Sequence, residues 1–191
     1  MGKLPLLEGR PVVQLNIGDV HAAQSTVAIR TILGSCIGVC LYDPFVRAGG
    51  MNHFMLPGED PNDMCCGKYG LHAMELLMNA CMKLGALPSR LQIKVFGGAN
   101  MLSQPALEAS VSSRNIDFIR SYLETEGFCP VALDLGGVCA REIYFFPDTG
   151  KTLVRRICDN GVSEFRKVIR LERTISRRPP PEFDDSNITL F

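Results

Sequence analysis

Cys36-Ile-Gly-Val-Cys-Leu-Tyr42, then Asp43-Pro-Phe-Val-Arg-Ala-Gly49, then Gly50-Met-Asn-His-Phe-Met-Leu56 is the stretch that decides the fold. Two apolar runs flank a segment whose Asp-Pro and Gly mark a turn, so the pattern predicts an antiparallel hairpin. Paired positions in a hairpin have a constant sum. Closing the loop over residues 43–46 pairs Tyr42 with Arg47 and sets Cys36 directly opposite His53, with Cβ atoms about 4.5–5.5 Å apart. A loop two residues longer leaves them diagonal on the same face, still within reach of an imidazole. A one-residue slip would send them to opposite faces.

Outward from the hairpin, Pro11–Ile17 and Thr26–Ile32 read as short strands, and His21 falls in a loop between them. Residues 58–68 read as a loop. Tyr69–Gly85 carries helical periodicity, with Leu71, Met74, Leu77, Met78, Cys81 and Leu84 at steps of three and four and Gly85 as a stop. Met74, Met78 and Met82 form a helical stripe read as core, and His72 is read as partly exposed and structural. Arg90–Phe96 alternates as a strand and ends at Gly97-Gly98. Asn115 is placed as the cap of a helix running to Glu126, with Ile116, Ile119 and Leu123 on one face. Strands over 129–135, 140–146 and 151–157 follow, the last two joined by a Pro-Asp-Thr-Gly turn. A final helix is expected over Ser163–Thr174. About seven strands and three helices, with strands often adjacent in sequence, predict an α+β fold of largely antiparallel sheet layers flanked by helices.

With 191 residues, 46% of them hydrophobic and 21% charged, the chain reads as globular and not mainly disordered. One domain is expected over 1–176, with an extended or mobile tail over 177–191 that holds three successive prolines. Twenty basic residues balance twenty acidic ones, so net charge offers no case for nucleic-acid or membrane-surface binding. No apolar run approaches the roughly 18 residues that span a bilayer, and the start reads as a mature cytoplasmic one. The eight cysteines are accordingly expected to be reduced thiols.

Chemistry concentrates at the hairpin. A cysteine nucleophile needs a base for its proton, and histidine is the usual one. Cys36 and His53 are therefore the candidate pair. Backbone N–H groups at Ser35 and Cys36, after the permissive Gly34, can form an oxyanion hole. Thr31 can orient His53 or bond the substrate. The rival is a zinc site from Cys36, Cys40, His53, Cys65 and Cys66. It is disfavoured because Cys36 and Cys40 on one strand lie about 13 Å apart. No metal and no cofactor are expected. Lone Cys and His residues are more often packing residues, so spacing alone leaves catalysis the minority reading.

Thr31-Ile-Leu-Gly-Ser-Cys-Ile-Gly-Val-Cys-Leu-Tyr-Asp-Pro44 and Gly49-Gly-Met-Asn-His-Phe-Met-Leu-Pro57 closely resemble the CheD family of chemotaxis proteins. Lys68-Tyr69, Lys94-Val-Phe-Gly-Gly-Ala-Asn-Met101, Arg114-Asn115, Asp134-Leu-Gly-Gly137 and Thr149–Arg155 resemble it too, in order. The resemblance implies an α+β fold similar to cysteine deamidases of the cytotoxic necrotizing factor type. It implies a cytoplasmic hydrolase, a protein-glutamine glutaminase that converts receptor glutamines to glutamates, with methyl-ester hydrolysis by the same chemistry. The family's Cys falls on Cys36 and its His on His53. Its Thr lies six residues before the Cys in some members, where this chain has Arg30; Thr31 is five before. The implied partners are methyl-accepting chemotaxis receptors and a CheC-like phosphatase, and a docking module with little catalysis is the alternative. The segment Lys151–Arg178, with nine basic and three acidic residues, is a candidate docking patch or a solvated face.

Overall fold

Both strands of the predicted hairpin are buried from end to end, one face under helices and the other under a second sheet. The computed structural model describes residues 7, 9–56, 65–100 and 105–158. Its elements are β1 (Val12–Gln14), β2 (Val20–Ala23), β3 (Ala28–Leu33), β4 (Ile37–Asp43), β5 (Ala48–Phe54), α1 (Cys65–Met82), β6 (Gln92–Gly97), α2 (Pro105–Thr125), β7 (Ala132–Leu135), β8 (Ala140–Phe145) and β9 (Thr152–Ile157). A five-stranded sheet runs β2-β5-β4-β6-β7, and a four-stranded sheet runs β1-β3-β8-β9. The expected α+β class is what forms. Among the described residues, β1–β3 and β6–β7 pair in parallel and the other five pairings are antiparallel.

The layers follow from side-chain alternation. Along β4, Ile37, Val39 and Leu41 point to the helix side, with Phe54 of β5, Met74, Leu77 and Cys81 of α1 and Ile119 and Leu123 of α2. Cys36, Cys40 and Tyr42 point the other way, into a core shared with Ile29, Leu33, Ile143 and Phe145 of the second sheet. Gly49 and Gly50 make this stacking possible. A Cβ on Gly49 would lie 2.9 Å from the Phe145 ring, and one on Gly50 would lie 2.9 Å from Leu77. Side chains there would push the sheets and the helix apart. Asn52 pins the layer further, accepting from the Val39 N–H and donating to the Ala73 carbonyl of α1. The turn is braced by Asp43, whose buried carboxylate takes the Phe45 and Leu87 N–H groups and the Arg90 guanidinium. Arg90 holds that carboxyl down at about 2.

The structure corrects several expectations. His21 lies in β2, a four-residue strand whose pairing with β5 is not signalled by any apolar alternation in Val-His-Ala-Ala. Residues 65–68 belong to α1 and not to the preceding loop. The buried line of α1 is Gly70, Met74, Leu77 and Cys81, so Leu71 is one position off it and exposed. In the methionine stripe Met74 is buried, whereas Met82 is exposed. The second helix starts at Pro105, ten residues before Asn115, with proline at its first position as helices favour. Asn115 is therefore an interior helix residue and not a cap. Cys139 and Cys158 are joined in a disulfide, contrary to the expectation of reduced thiols. Their register explains it: Ala140 pairs with Ile157, which puts the two cysteines opposite one another with Cα atoms 4.6 Å apart. The helix expected over Ser163–Thr174 and the tail from 177 lie outside the described residues. Among the described residues, no helix is long and apolar enough to cross a membrane.

Candidate active site

Cys36 ends the bend that leads into β4, and His53 is the penultimate residue of β5. The observed register pairs Tyr42 with Gly49 and Gly38 with His53. Cys36 and His53 are thus diagonal neighbours on the face between the sheets, the longer-loop case. The His53 Nε2 lies 2.9 Å from the Cys36 Sγ. The other ring nitrogen, Nδ1, lies 2.8 Å from the Thr31 Oγ1. Thr31 comes from β3, on the inner face of the opposite sheet, so the contact bridges the two layers. The same hydroxyl is 3.1 Å from the Leu15 carbonyl oxygen.

These partners assign the protons. A carbonyl only accepts, so the Thr31 hydroxyl donates to Leu15. Its oxygen then accepts from Nδ1–H of His53. That tautomer leaves the Nε2 lone pair facing the thiol. Burial drives the imidazole below its ordinary 6.5 to about 4, against the opposing influence of the Leu15 carbonyl and the Asp19 charge. The ring is neutral near pH 7, in the state that can take a proton. Burial also pushes the thiols of Cys40 and Cys81 up, Cys81 to about 12. These two behave as small apolar core residues. Thr31 and Cys36 have no exposed surface, and His53 and Ser35 have only 5% and 7%.

The Cys36 bend is held from behind. Three successive carbonyls, of Gly34, Ser35 and Cys36, accept bonds from Ala99 N–H (2.7 Å), Asn115 Nδ2 (3.0 Å) and Gly98 N–H (2.9 Å). Gly97 is required here: its φ is +121°, and a Cβ would lie 2.1 Å from the Cys36 carbonyl oxygen. The end of β6 and the residues after it, 97–99, therefore serve as the cradle of the cysteine bend.

The family model for CheD chemotactic sensory transduction matches residues 55–156, beginning just past His53. A probable chemoreceptor glutamine deamidase CheD 1 of Shewanella oneidensis is 43% identical over 152 residues, covering 78% of this chain and 73% of the relative. A probable chemoreceptor glutamine deamidase CheD 2 of Burkholderia thailandensis is 42% identical over 152 residues, covering 78% and 77%. A probable chemoreceptor glutamine deamidase CheD of Stenotrophomonas maltophilia is 46% identical over 132 residues, covering 69% and 66%. The chain belongs to the CheD family.

In this CheD-family chain Arg30 and Thr31, the two candidates for the third position, point in opposite directions. Arg30 points to the outer face of its sheet, where it bonds Glu142, Tyr144 and Gln14. Thr31 points inward to the imidazole. Sequence reasoning missed Asn115 as a site residue, although Arg114-Asn115 was visible as a family motif. It also missed the Leu15 carbonyl, for which side-chain pattern carries no signal. Of the basic segment, the described Arg155 and Arg156 are already paired with Glu142 and Asp134, which reduces what they can offer a partner.

Proposed function

We propose that this chain is a protein-glutamine deamidase of the cytoplasm that converts glutamines on the helices of methyl-accepting chemoreceptors to glutamates. The observation that carries the reading is the chain Cys36–His53–Thr31, with contacts of 2.9 and 2.8 Å. His53 Nε2 takes the thiol proton, and the Cys36 sulfur attacks the side-chain amide carbon. Backbone N–H groups of Ser35 and Cys36 stabilise the oxyanion. The imidazolium returns its proton to the nitrogen, ammonia leaves, and a thioester remains. Water then gives its proton to Nε2 and attacks the thioester. The carbon–sulfur bond breaks, the sulfur recovers the proton, and glutamate is released. A glutamyl methyl ester follows the same route, with methanol as the leaving group.

The relatives' names support the substrate class, since they read probable chemoreceptor glutamine deamidase. A docking reading, in which the chain binds receptors or a CheC-like phosphatase with little chemistry, draws on one observation: Cys36 has no exposed surface. Peptide mass spectrometry of a receptor cytoplasmic fragment separates the two. The deamidase reading expects amide-to-acid mass gains at specific glutamines with wild type and none with Cys36→Ala. Retained binding with no mass gain from wild type would favour docking.

A further inference from the structure

We infer that Asn115 is a positioning residue for the oxyanion step, acting through the Ser35–Cys36 peptide. The inference rests on the deamidase reading above. Asn115 is wholly buried in the interior of α2. Its Nδ2 donates to the Ser35 carbonyl, and its Oδ1 accepts from the Leu56 N–H. One partner only accepts and the other only donates, so the amide has a single compatible orientation.

A peptide unit is a rigid trans plane, with the carbonyl of one residue antiparallel to the N–H of the next. Fixing the Ser35 carbonyl therefore fixes the direction of the Cys36 N–H. The planes on either side have their carbonyls held by backbone donors, Ala99 N–H and Gly98 N–H. The middle plane has its carbonyl held by a side chain, that of Asn115. One turn earlier on α2, Ser112 bonds the Gly98 carbonyl, so the helix grips the cradle at two points. The Leu56 bond ties the same side chain to the chain three residues past His53. Asn115 thus joins the nucleophile's bend to the strand of its base.

Two variants test this. Asn115→Asp keeps an acceptor for the Leu56 N–H and removes the donor to Ser35. Asn115→Ala removes both bonds without burying a charge and carries the comparison should the aspartate fail to fold. The expected result at pH 8 is a kcat for receptor glutamine lowered about 10- to 100-fold, with KM within about twofold of wild type. A glutamine-like aldehyde, whose thiohemiacetal oxygen needs the donor, is expected to bind more weakly by a similar factor. Alkylation of Cys36 by iodoacetamide needs no oxyanion donor and is expected to run at the wild-type rate. In wild type, aldehyde binding is expected to shift the Cys36 amide proton downfield. A variant kcat within twofold of wild type, or an unmoved Cys36 amide proton, would overturn the inference. So would a parallel loss of kcat and alkylation, which would make Asn115 a support of the fold only. A wild-type protein that alkylates normally yet leaves every receptor glutamine unchanged would instead overturn the deamidase reading, and this inference with it.

Discussion

Thr31 does two things with one hydroxyl, donating to Leu15 and accepting from His53. Thr31→Val keeps the shape and removes both bonds. It is expected to lower kcat about 10- to 100-fold with little change in KM, because the imidazole loses the contact that fixes its tautomer. Thr31→Ser is expected to retain most of the rate; steady-state kinetics on a receptor fragment checks both. His53 also links stability to pH. In the unfolded chain it binds a proton near 6.5, whereas burial delays that in the fold to about 4. Between those values the unfolded state holds more protons, so its contribution to stability falls as pH drops, by about 1.4 kcal/mol per pH unit. Urea unfolding at pH 7 and 5 is expected to show this loss in wild type and a smaller one in His53→Gln. At this scale the sequence was most informative for the pair it could place on one hairpin face. The Thr31 contact was harder to read because it crosses between sheets, and local periodicity says nothing of how two sheets are stacked.

At the scale of elements, the hairpin was legible because β4 and β5 are mostly apolar runs flanking an Asp-Pro turn that limits their register. β2 was not, since four short residues of intermediate burial leave no alternation to detect. The start of α2 escaped because small and polar residues dominate its first turns, leaving Leu107 and Val111 too sparse to mark a stripe before Ile116. Reading Asn115 as a cap followed from that error; its polar group satisfies the backbone of other elements and not a helix end. Packing between elements depends on Gly50, where a Cβ would meet Ala22 Cβ and the His21 carbonyl at 2.8 Å and Leu77 at 2.9 Å. Gly50→Ala is expected to destabilise the protein by about 1–3 kcal/mol. The check is a lowered urea midpoint at unchanged slope, which would place the cost in the native packing of α1 on β5 and β2.

Across the whole molecule, the proposed site draws on two sheets, a bend and one helix: His53 from one sheet, Cys36 from the bend entering that sheet, Thr31 from the other sheet, and Asn115 from α2. The disulfide between Cys139 and Cys158 closes the far edge of the second sheet, where β8 also pairs with the strand carrying Thr31. It spans 19 positions, and a loop of that order contributes about 3 kcal/mol by restricting the unfolded chain. Adding dithiothreitol is therefore expected to lower the melting temperature while leaving the rate of Cys36 alkylation unchanged, because the β8–β9 ladder remains. A melting temperature insensitive to reductant would remove the bond from the account. The expectation of reduced thiols rests on compartment, on a chain long enough to be stable without staples and on the apolar runs around several cysteines, none of which reports on the pairing of two strands. The bond became visible only with the β8–β9 register.

The most direct measurement is covalent trapping on the enzyme. Protein mixed with a receptor fragment is quenched in acid within the first turnover and mapped by peptide mass spectrometry. The expected result is a glutamyl thioester on the Cys36 peptide, absent from Cys36→Ala and strongly reduced in His53→Gln. Glutamine conversion that continues in Cys36→Ala, or an acyl group found on a different cysteine, would contradict the assignment of Cys36 as the nucleophile.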